Sequence, residues 1–379
     1  MSIDLSLDRV TKLLIQLPSY TRPTLHIAGT NGKGSVSALL TSILLSADPP
    51  LRVGRFNSPH LIHISDCITI DNVPVSSSLY DTVRAEVEHA DKVHQTRLTN
   101  FEILTLVALQ IFEKCRMEVV VLEVGMGGRQ DAANVVSDKA IAVSALTAVD
   151  LDHQAFLGET ITRIAREKAG IGRTGRPFVL GKQRYPEVKE VVKDVLSRLG
   201  SDKVIDAVQV HTRKWNETVD GVRPPSLSLA SPFQQPAAQP ISADLPCFPE
   251  TVHTLLPLYG NHQLDNLGTS LTIINELLTS PALQETSGSL RLKERLHAKS
   301  VANGIQNVKW LGRLSFHTLR LPDPAVGEPS AITDPLVVLV DGAHNPASAA
   351  TLGEYITHFF GLALECPCGA SKLMSVEMT

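Results

Sequence analysis

The stretch LHIAGTNGKGSVSALL (Leu25–Leu40) constrains this chain more than any other. An apolar run, Leu25–Thr30, breaks into glycines and a lysine, and an apolar helical pattern, Ser35–Ala47, follows at once. That order predicts a buried strand, a tight turn and a helix whose N-terminus faces the turn. Glycines let backbone N–H groups come close to a phosphate, and the helix dipole favours an anion there. The usual phosphate loop reads G-x-x-x-x-G-K-[ST], with the hydroxyl residue directly after the lysine. Here only two residues separate Gly29 from Gly32, and Gly34 stands between Lys33 and Ser35. Lys33 would bring positive charge to the β- and γ-phosphates. If Gly34 takes the Ser35 hydroxyl out of register, Mg²⁺ needs ligands from elsewhere. A plain strand–turn–helix corner is the competing reading.

Further apolar strands, EVVVLEVG and AIAVSALT, alternate with the helical patterns FEILTLVALQIFEK and ETITRIAREKAGI. Strands apolar throughout and separated by helices predict an α/β fold whose parallel sheet is covered on both faces. Ligands in such folds bind beyond the carboxyl ends of the strands. Residues 219–257 are rich in Pro, Ser, Ala and Gln and read as a flexible insertion or long loop. A helix over Asn261–Leu278 follows, then a loop after Arg313. The run PLVVLVDGAHNP predicts a strand, a turn and a helix to about Phe360. The division expected is a first domain over 1–312 and a second, partial α/β domain over 313–379.

With 379 residues the chain can hold two cores. A net charge of −4 and a pI near 6.4 offer no general electrostatic case for nucleic acid or an anionic membrane. No apolar run reaches spanning length, and no signal or transit peptide is evident. Five cysteines make no even framework, and Cys366-Pro-Cys368 has no second pair to complete a zinc site. The expectation is a soluble cytoplasmic protein with free thiols, with mitochondrial placement as the alternative.

Candidate metal ligands lie at strand ends. Ser58 precedes a proline in FNSPHL, Glu123 ends a strand in LEVGMGGRQDAAN, and Asp150, Asp152 and His153 follow another in DLDHQAFLG. A carboxylate in Glu123's position is costly to bury unless it meets a cation. Mg²⁺ prefers oxygen ligands, so a histidine contact hints at a second metal position. The competing readings are turn capping for Ser58, pairing with Arg129 for Glu123, and an ordinary surface histidine for His153.

HIAGTNGKGS, SPHL, EVGMGGRQDAAN, DHQAFLGET, EKAGI, GNHQLDN, GR and DGAHNP stand here in the order found in one family. The chain resembles the folylpolyglutamate synthase and dihydrofolate synthase family of the Mur ligase superfamily, from Ile3 to about Phe360 apart from the insertion. In that family the phosphate loop carries the extra glycine. The resemblance implies a Mur-ligase-like P-loop central domain and a Rossmann-like C-terminal domain. It implies that Gly32, Lys33, Gly34 and Ser35 cradle ATP, with Asn266, Arg313, Asp341 and His344 as further nucleotide contacts. Ser58, Glu123 and His153 match its ligands for Mg²⁺, two ions being expected. Lys168, in EKAGI, matches a lysine that is carbamylated, and a monovalent cation is a further implied partner. A Lys168–Glu167 salt bridge and turn capping by Asp341 and His344 are the competing readings.

On the pterin side the resemblance points to Ser2, Ile3, Asp4 and Leu5, to Thr99, Asn100, Phe101 and Glu102, and to Gln130, Asp131 and Ala132. Phe101 is placed to stack on a flat heterocycle or to serve as core. The activity implied is ATP-dependent ligation of L-glutamate through an acyl phosphate, with Lys33, Lys168 and His153 as the catalytic set. Asn31 and the fungal-type stretch RFNSPHLIHISDCITIDNVPV favour dihydropteroate over folate as acceptor. A folylpolyglutamate synthase or bifunctional enzyme is the alternative, and from other classes a binding-only product or a small-molecule kinase. A monomer is expected.

Overall fold

The computed structural model describes residues 6–201, 203–225, 233–319 and 336–364. Ser2, Ile3, Asp4 and Leu5, and the pair Cys366 and Cys368, lie outside the described residues. The strands are β1 (Thr24–Ala28), β2 (Val53–Phe56), β3 (Ile68–Ile70), β4 (Val73–Pro74), β5 (Val119–Glu123), β6 (Ile141–Leu146), β7 (Phe178–Leu180) and β8 (Val204–Asp206). They form one sheet in the order β4-β3-β2-β5-β1-β6-β7-β8. From β2 to β8 every pairing is parallel. The parallel expectation meets one exception, because β2 pairs antiparallel with β3 and β3 with β4. Asp71 and Asn72, both left-handed, make the tight turn between β3 and β4.

β1, β5 and β6 are buried at every residue, which is why they read as unbroken apolar runs. On one face the helix Lys33–Leu45 packs against the sheet and is covered in turn by His262–Thr279 and Ala298–Gln306. Leu39, Leu40, Ile43, Leu271, Ile274 and Val301 are fully buried in that core. Being enclosed, the Lys33–Leu45 helix is buried continuously from Gly34 to Leu44 rather than along one stripe. The opposite face carries Ser77–His94 and Asn100–Lys114 over β2 and β5, and Ile161–Ala169 with Glu187–Arg198 over β6 and β7.

Part of the segment 219–257, expected as loop, is strand. β9 (His211–Thr212), β10 (Gln239–Ala243) and β11 (Val252–Leu256) make a second, antiparallel sheet. Ile241, Ala243, Val252 and Leu256 are buried in the same core as the phosphate-loop helix, so burial outweighs the Pro-rich composition. The loop expected after Arg313 also holds a strand. β12 (Ser315–Leu319) pairs antiparallel with β13 (Leu336–Val340), and the helix Pro346–Leu364 follows. Among the described residues no helix is long and apolar enough to cross a membrane.

Candidate active site

The glycine turn leaves β1 at the carboxyl edge of the sheet, and the helix starts at Lys33, two residues before the expected Ser35. Gly32 caps it with φ +94°, a conformation that a side chain resists. A Cβ at Gly32 would lie 2.2 Å from Asn266 Oδ1, and one at Gly34 would lie 2.8 Å from Trp310 Cζ2. Both glycines therefore let other elements close on the loop. Gln263 Nε2 donates to Ser35 Oγ at 3.2 Å, and Asn266 Nδ2 donates to Gln263 Oε1 at 3.0 Å. The Ser35 hydroxyl is thus engaged by the His262–Thr279 helix.

Lys33 Nζ donates to Gly29 O at 3.1 Å and Thr30 O at 3.3 Å, and lies 3.9 Å from Glu123 Oε1. Glu123 is 5% exposed, and Asn57 Nδ2 donates to its other oxygen at 2.5 Å. Burial pushes its carboxyl above the ordinary value, against the pull of Lys33 and Asn57. Arg129 pairs instead with Glu167, at 3.2 Å. Ser58 follows Asn57 into the same cavity. His153 is left-handed and half-exposed, with Nε2 at 3.8 Å from Asp152 Oδ2. Burial holds the His153 ring below its ordinary pKa, against the pull of Asp152.

Among the described residues no cluster of three or more His, Cys, Asp and Glu side chains is gathered for a metal. Ser58, Glu123 and His153 nonetheless line one cavity, and the buried, incompletely compensated Glu123 fits a divalent cation that retains several waters.

Lys168 is 2% exposed and donates through Nζ to Gly29 O at 2.9 Å, with no salt bridge to Glu167. Burial and then Lys33 bring its pKa down to about 7. The turn GMGG (Gly125–Gly128) explains how that helix gets so near. A Cβ on Gly128 would sit 2.8 Å from the backbone of Glu167 and Lys168.

From the C-terminal part, Asp341 Oδ2 accepts from Leu314 N at 2.9 Å, and Arg313 Nη1 donates to Gly312 O at 2.7 Å. Asp341 thereby ties Leu314, just before β12, to the end of β13. His344 Nε2 lies 3.7 Å from Asp152 Oδ2, so Asp152 stands between His153 and His344. Asn345 Nδ2 donates to Asn31 Oδ1 at 3.1 Å, and Asn31 Nδ2 to Asp150 Oδ2 at 3.3 Å. The turn after β13 thus reaches the phosphate loop directly.

Thr99 and Glu102 form a reciprocal helix cap, the Thr99 N–H donating to Glu102 Oε2 at 2.7 Å. Phe101 packs on bare Gly125, where a Cβ would lie 2.3 Å from its ring, and its centroid is 6.2 Å from that of Phe56. Asp131 accepts from Met126 N and Ala133 N, and burial raises its carboxyl to about 6. Gln130 is exposed and Ala132 buried.

Thr99, Asn100, Phe101, Glu102, Gln130, Asp131, Ala132, the phosphate loop and Lys168 line one cavity of about 2170 Å³, together with Asn266, Arg313, Asp341 and His344. Sequence reasoning missed Asn57, Gln263, Trp310 and Arg55. An arginine inside the strand VGRF was the one available signal, since a buried cation needs a reason.

Residues 27–177 match the Mur ligase middle domain. The chain is 33% identical over 369 residues to the dihydrofolate synthetase of Saccharomyces cerevisiae, taking in 95% of this chain and 74% of that one. It superposes on the Mycobacterium tuberculosis folylpolyglutamate synthase complexed with ADP and AMPPCP with a TM-score of 0.71. Identity there is 28%, covering 93% of this chain and 71% of the other. A bifunctional folylpolyglutamate synthase/dihydrofolate synthase with Mn, AMPPNP and L-glutamate bound gives a TM-score of 0.67 at 26% identity, covering 94% and 72%. By its glycine loop, its sheet and a third of its residues over nearly its whole length, the chain belongs to the dihydrofolate synthase/folylpolyglutamate synthase family of Mur-type ligases.

Proposed function

We propose that the chain joins L-glutamate to 7,8-dihydropteroate at the expense of ATP, the dihydrofolate synthase reaction, with glutamate-bearing folates as the alternative acceptors. The observation that carries this reading is Lys33 set between a glycine turn and the buried Glu123, in a cavity with room for a nucleotide and a pterin together. The similarity to the yeast dihydrofolate synthetase supports dihydropteroate as acceptor.

A carboxylate resists attack because its charge is delocalised and repels nucleophiles. In the proposed sequence an acceptor oxygen attacks the γ-phosphorus of ATP, the bond to the bridging oxygen breaks, and ADP leaves. The glutamate amine then attacks the acyl carbon, a C–N bond forms, and phosphate departs as the nitrogen loses a proton. Backbone N–H groups of Gly32, Lys33, Gly34 and Ser35 hold the phosphates, and the Lys33 ammonium swings from the loop carbonyls to the transferring group. Ser58, Glu123 and His153 would hold Mg²⁺, two ions in all, which neutralise phosphate charge when bound. Asn266, Arg313, Asp341 and His344 hold the nucleotide between a ligase domain over 1–312 and the unit beginning at Arg313. Thr99, Asn100, Phe101, Glu102, Gln130, Asp131 and Ala132 face the pterin, and closure of the second unit excludes water from the acyl phosphate.

Lys168 belongs to this proposal as a carbamate. Its buried amine, with a pKa near 7, is partly neutral at physiological pH and so free to add CO₂. A monovalent cation and a monomeric state complete it.

Incubation with ATP, Mg²⁺, L-glutamate and dihydropteroate, followed by mass analysis, should yield dihydrofolate. Tetrahydrofolate replaces dihydropteroate in a parallel arm. Product in that arm alone reverses the choice of acceptor, and ATP hydrolysis without glutamate incorporation in either arm overturns the ligase reading.

A further inference from the structure

One wall of the cavity holds polar groups to which no role above is given. Arg55, in β2, is only 6% exposed. Its guanidinium lies over the Trp310 ring, 4.9 Å from the centroid. Stacking satisfies the face of a guanidinium but none of its in-plane N–H groups. Nε and Nη1 of Arg55 are buried and make no hydrogen bond. Thr69 pairs with Arg55 in the β2–β3 register and points to the same face, and its buried Oγ1 is likewise without a partner. So is Nε1 of Trp310. The three residues all line the cavity, and Trp310 presses on Gly34 of the phosphate loop.

Buried donors left unused are rare and call for a reason. Among the described residues Glu123 is the one carboxylate that eases the burial of Arg55, and it already serves Lys33 and Asn57. Burial lowers the guanidinium's pKa to about 10, which leaves it a cation at neutral pH. A fork of N–H donors, an indole N–H and a hydroxyl suit an oxyanion, which a guanidinium can engage through two parallel bonds.

We propose that Arg55, Thr69 and Trp310 form an oxyanion subsite beside the phosphate loop, filled by a phosphate of the nucleotide or by the carboxylate of the acid acceptor. The subsite rests on the ligase reading, because both sources are substrates of that reaction. Its residues take no part in the phosphate loop or the metal set, so the two are separable by experiment.

The test is calorimetric titration of the whole chain with AMPPNP and Mg²⁺ in one arm and with pteroate in the other. Arg55→Met, which keeps length and removes the fork, is expected to weaken one of the two ligands by about tenfold or more and leave the other within about twofold. The affected arm identifies the source of the oxyanion. Trp310→Phe, which keeps an aromatic ring and deletes the indole N–H, should weaken the same ligand by a smaller factor, and Arg55→Lys should recover part of the loss. If Arg55→Met gives no cooperative melt, Trp310→Phe and Thr69→Val decide the matter in its place. Wild-type affinity for both ligands in the folded variants overturns the subsite and leaves the ligase reading standing. A wild-type chain that binds neither ligand overturns the ligase reading itself.

Discussion

Replacing Gly32 by alanine tests how the phosphate loop is held. The φ of +94° places an L side chain where backbone strain costs about 1–2 kcal/mol. The new Cβ would also lie 2.2 Å from Asn266 Oδ1 and 3.1 Å from its Cγ. Asn266 cannot simply swing aside, since it is buried and its amide donates to Gln263 at 3.0 Å. Overpacking of that kind typically costs about 1–3 kcal/mol. The two effects together come to about 2–5 kcal/mol against the observed loop. Where the free loop relaxes and nucleotide binding restores it, the lower bound alone weakens AMPPNP by about thirtyfold. Where the loop cannot relax, the same cost appears as lost stability. The assay is therefore paired, AMPPNP titration alongside urea unfolding. Gly288→Ala is the internal contrast. That glycine is exposed in the helix Gln284–Ser289 with nothing within 4 Å of a new Cβ, so alanine should stabilise by about 0.5–1 kcal/mol. Gly32→Ala matching wild type in both readouts would refute the account of the loop as clamped from Asn266.

Lys33→Ala should abolish dihydrofolate formation in the mass assay while circular dichroism shows the fold retained, and synthesis by a folded variant would contradict the role given to the lysine. Gly304→Ala should cost about 1–3 kcal/mol in urea unfolding, because its Cβ would lie 2.4 Å from Ile43 Cα at the packed crossing of two helices. In CO₂-free buffer, where the amine stays unmodified, Lys168 has a folded pKa near 7, below its ordinary 10.5, so between those values the unfolded chain binds the extra proton and stability rises with pH. Relative to Lys168→Met, wild type should gain up to about 1.4 kcal/mol per pH unit across that window, and parallel stability curves would show the amine to be ordinary.

The central sheet was legible because parallel strands buried on both faces must be apolar throughout, and Leu25–Ala28, Val119–Leu122 and Ile141–Leu146 are so apart from His26 and Ser144. The glycine loop was legible for the same local reason, a strand and a helix with no room for anything but a turn between them. β11 left a signal that composition masked. Val252, Thr254 and Leu256 are buried in strict alternation, the period-two mark of a half-exposed strand, inside a segment dominated by Pro, Ser and Gln. Helix boundaries moved because Gly34 is helical here, held by packing that a propensity argument does not see. Least legible were the contacts of Gln263, Asn266 and Trp310 with the loop. They join residues far apart in the chain, and nothing in the local pattern of either partner announces the other.

That separation bears on how the protein comes into being. Gln263 meets Ser35 across 228 residues, and Asn266 and Trp310 close on Gly32 and Gly34 from beyond it. While the chain emerges from the ribosome, the loop waits for its clamps through the synthesis of more than two hundred further residues. Competence to grip a nucleotide therefore comes only after the Gln263–Trp310 region has been made, rather than with the first βα unit, and a nascent fragment ending before Gln263 carries the motif without the grip.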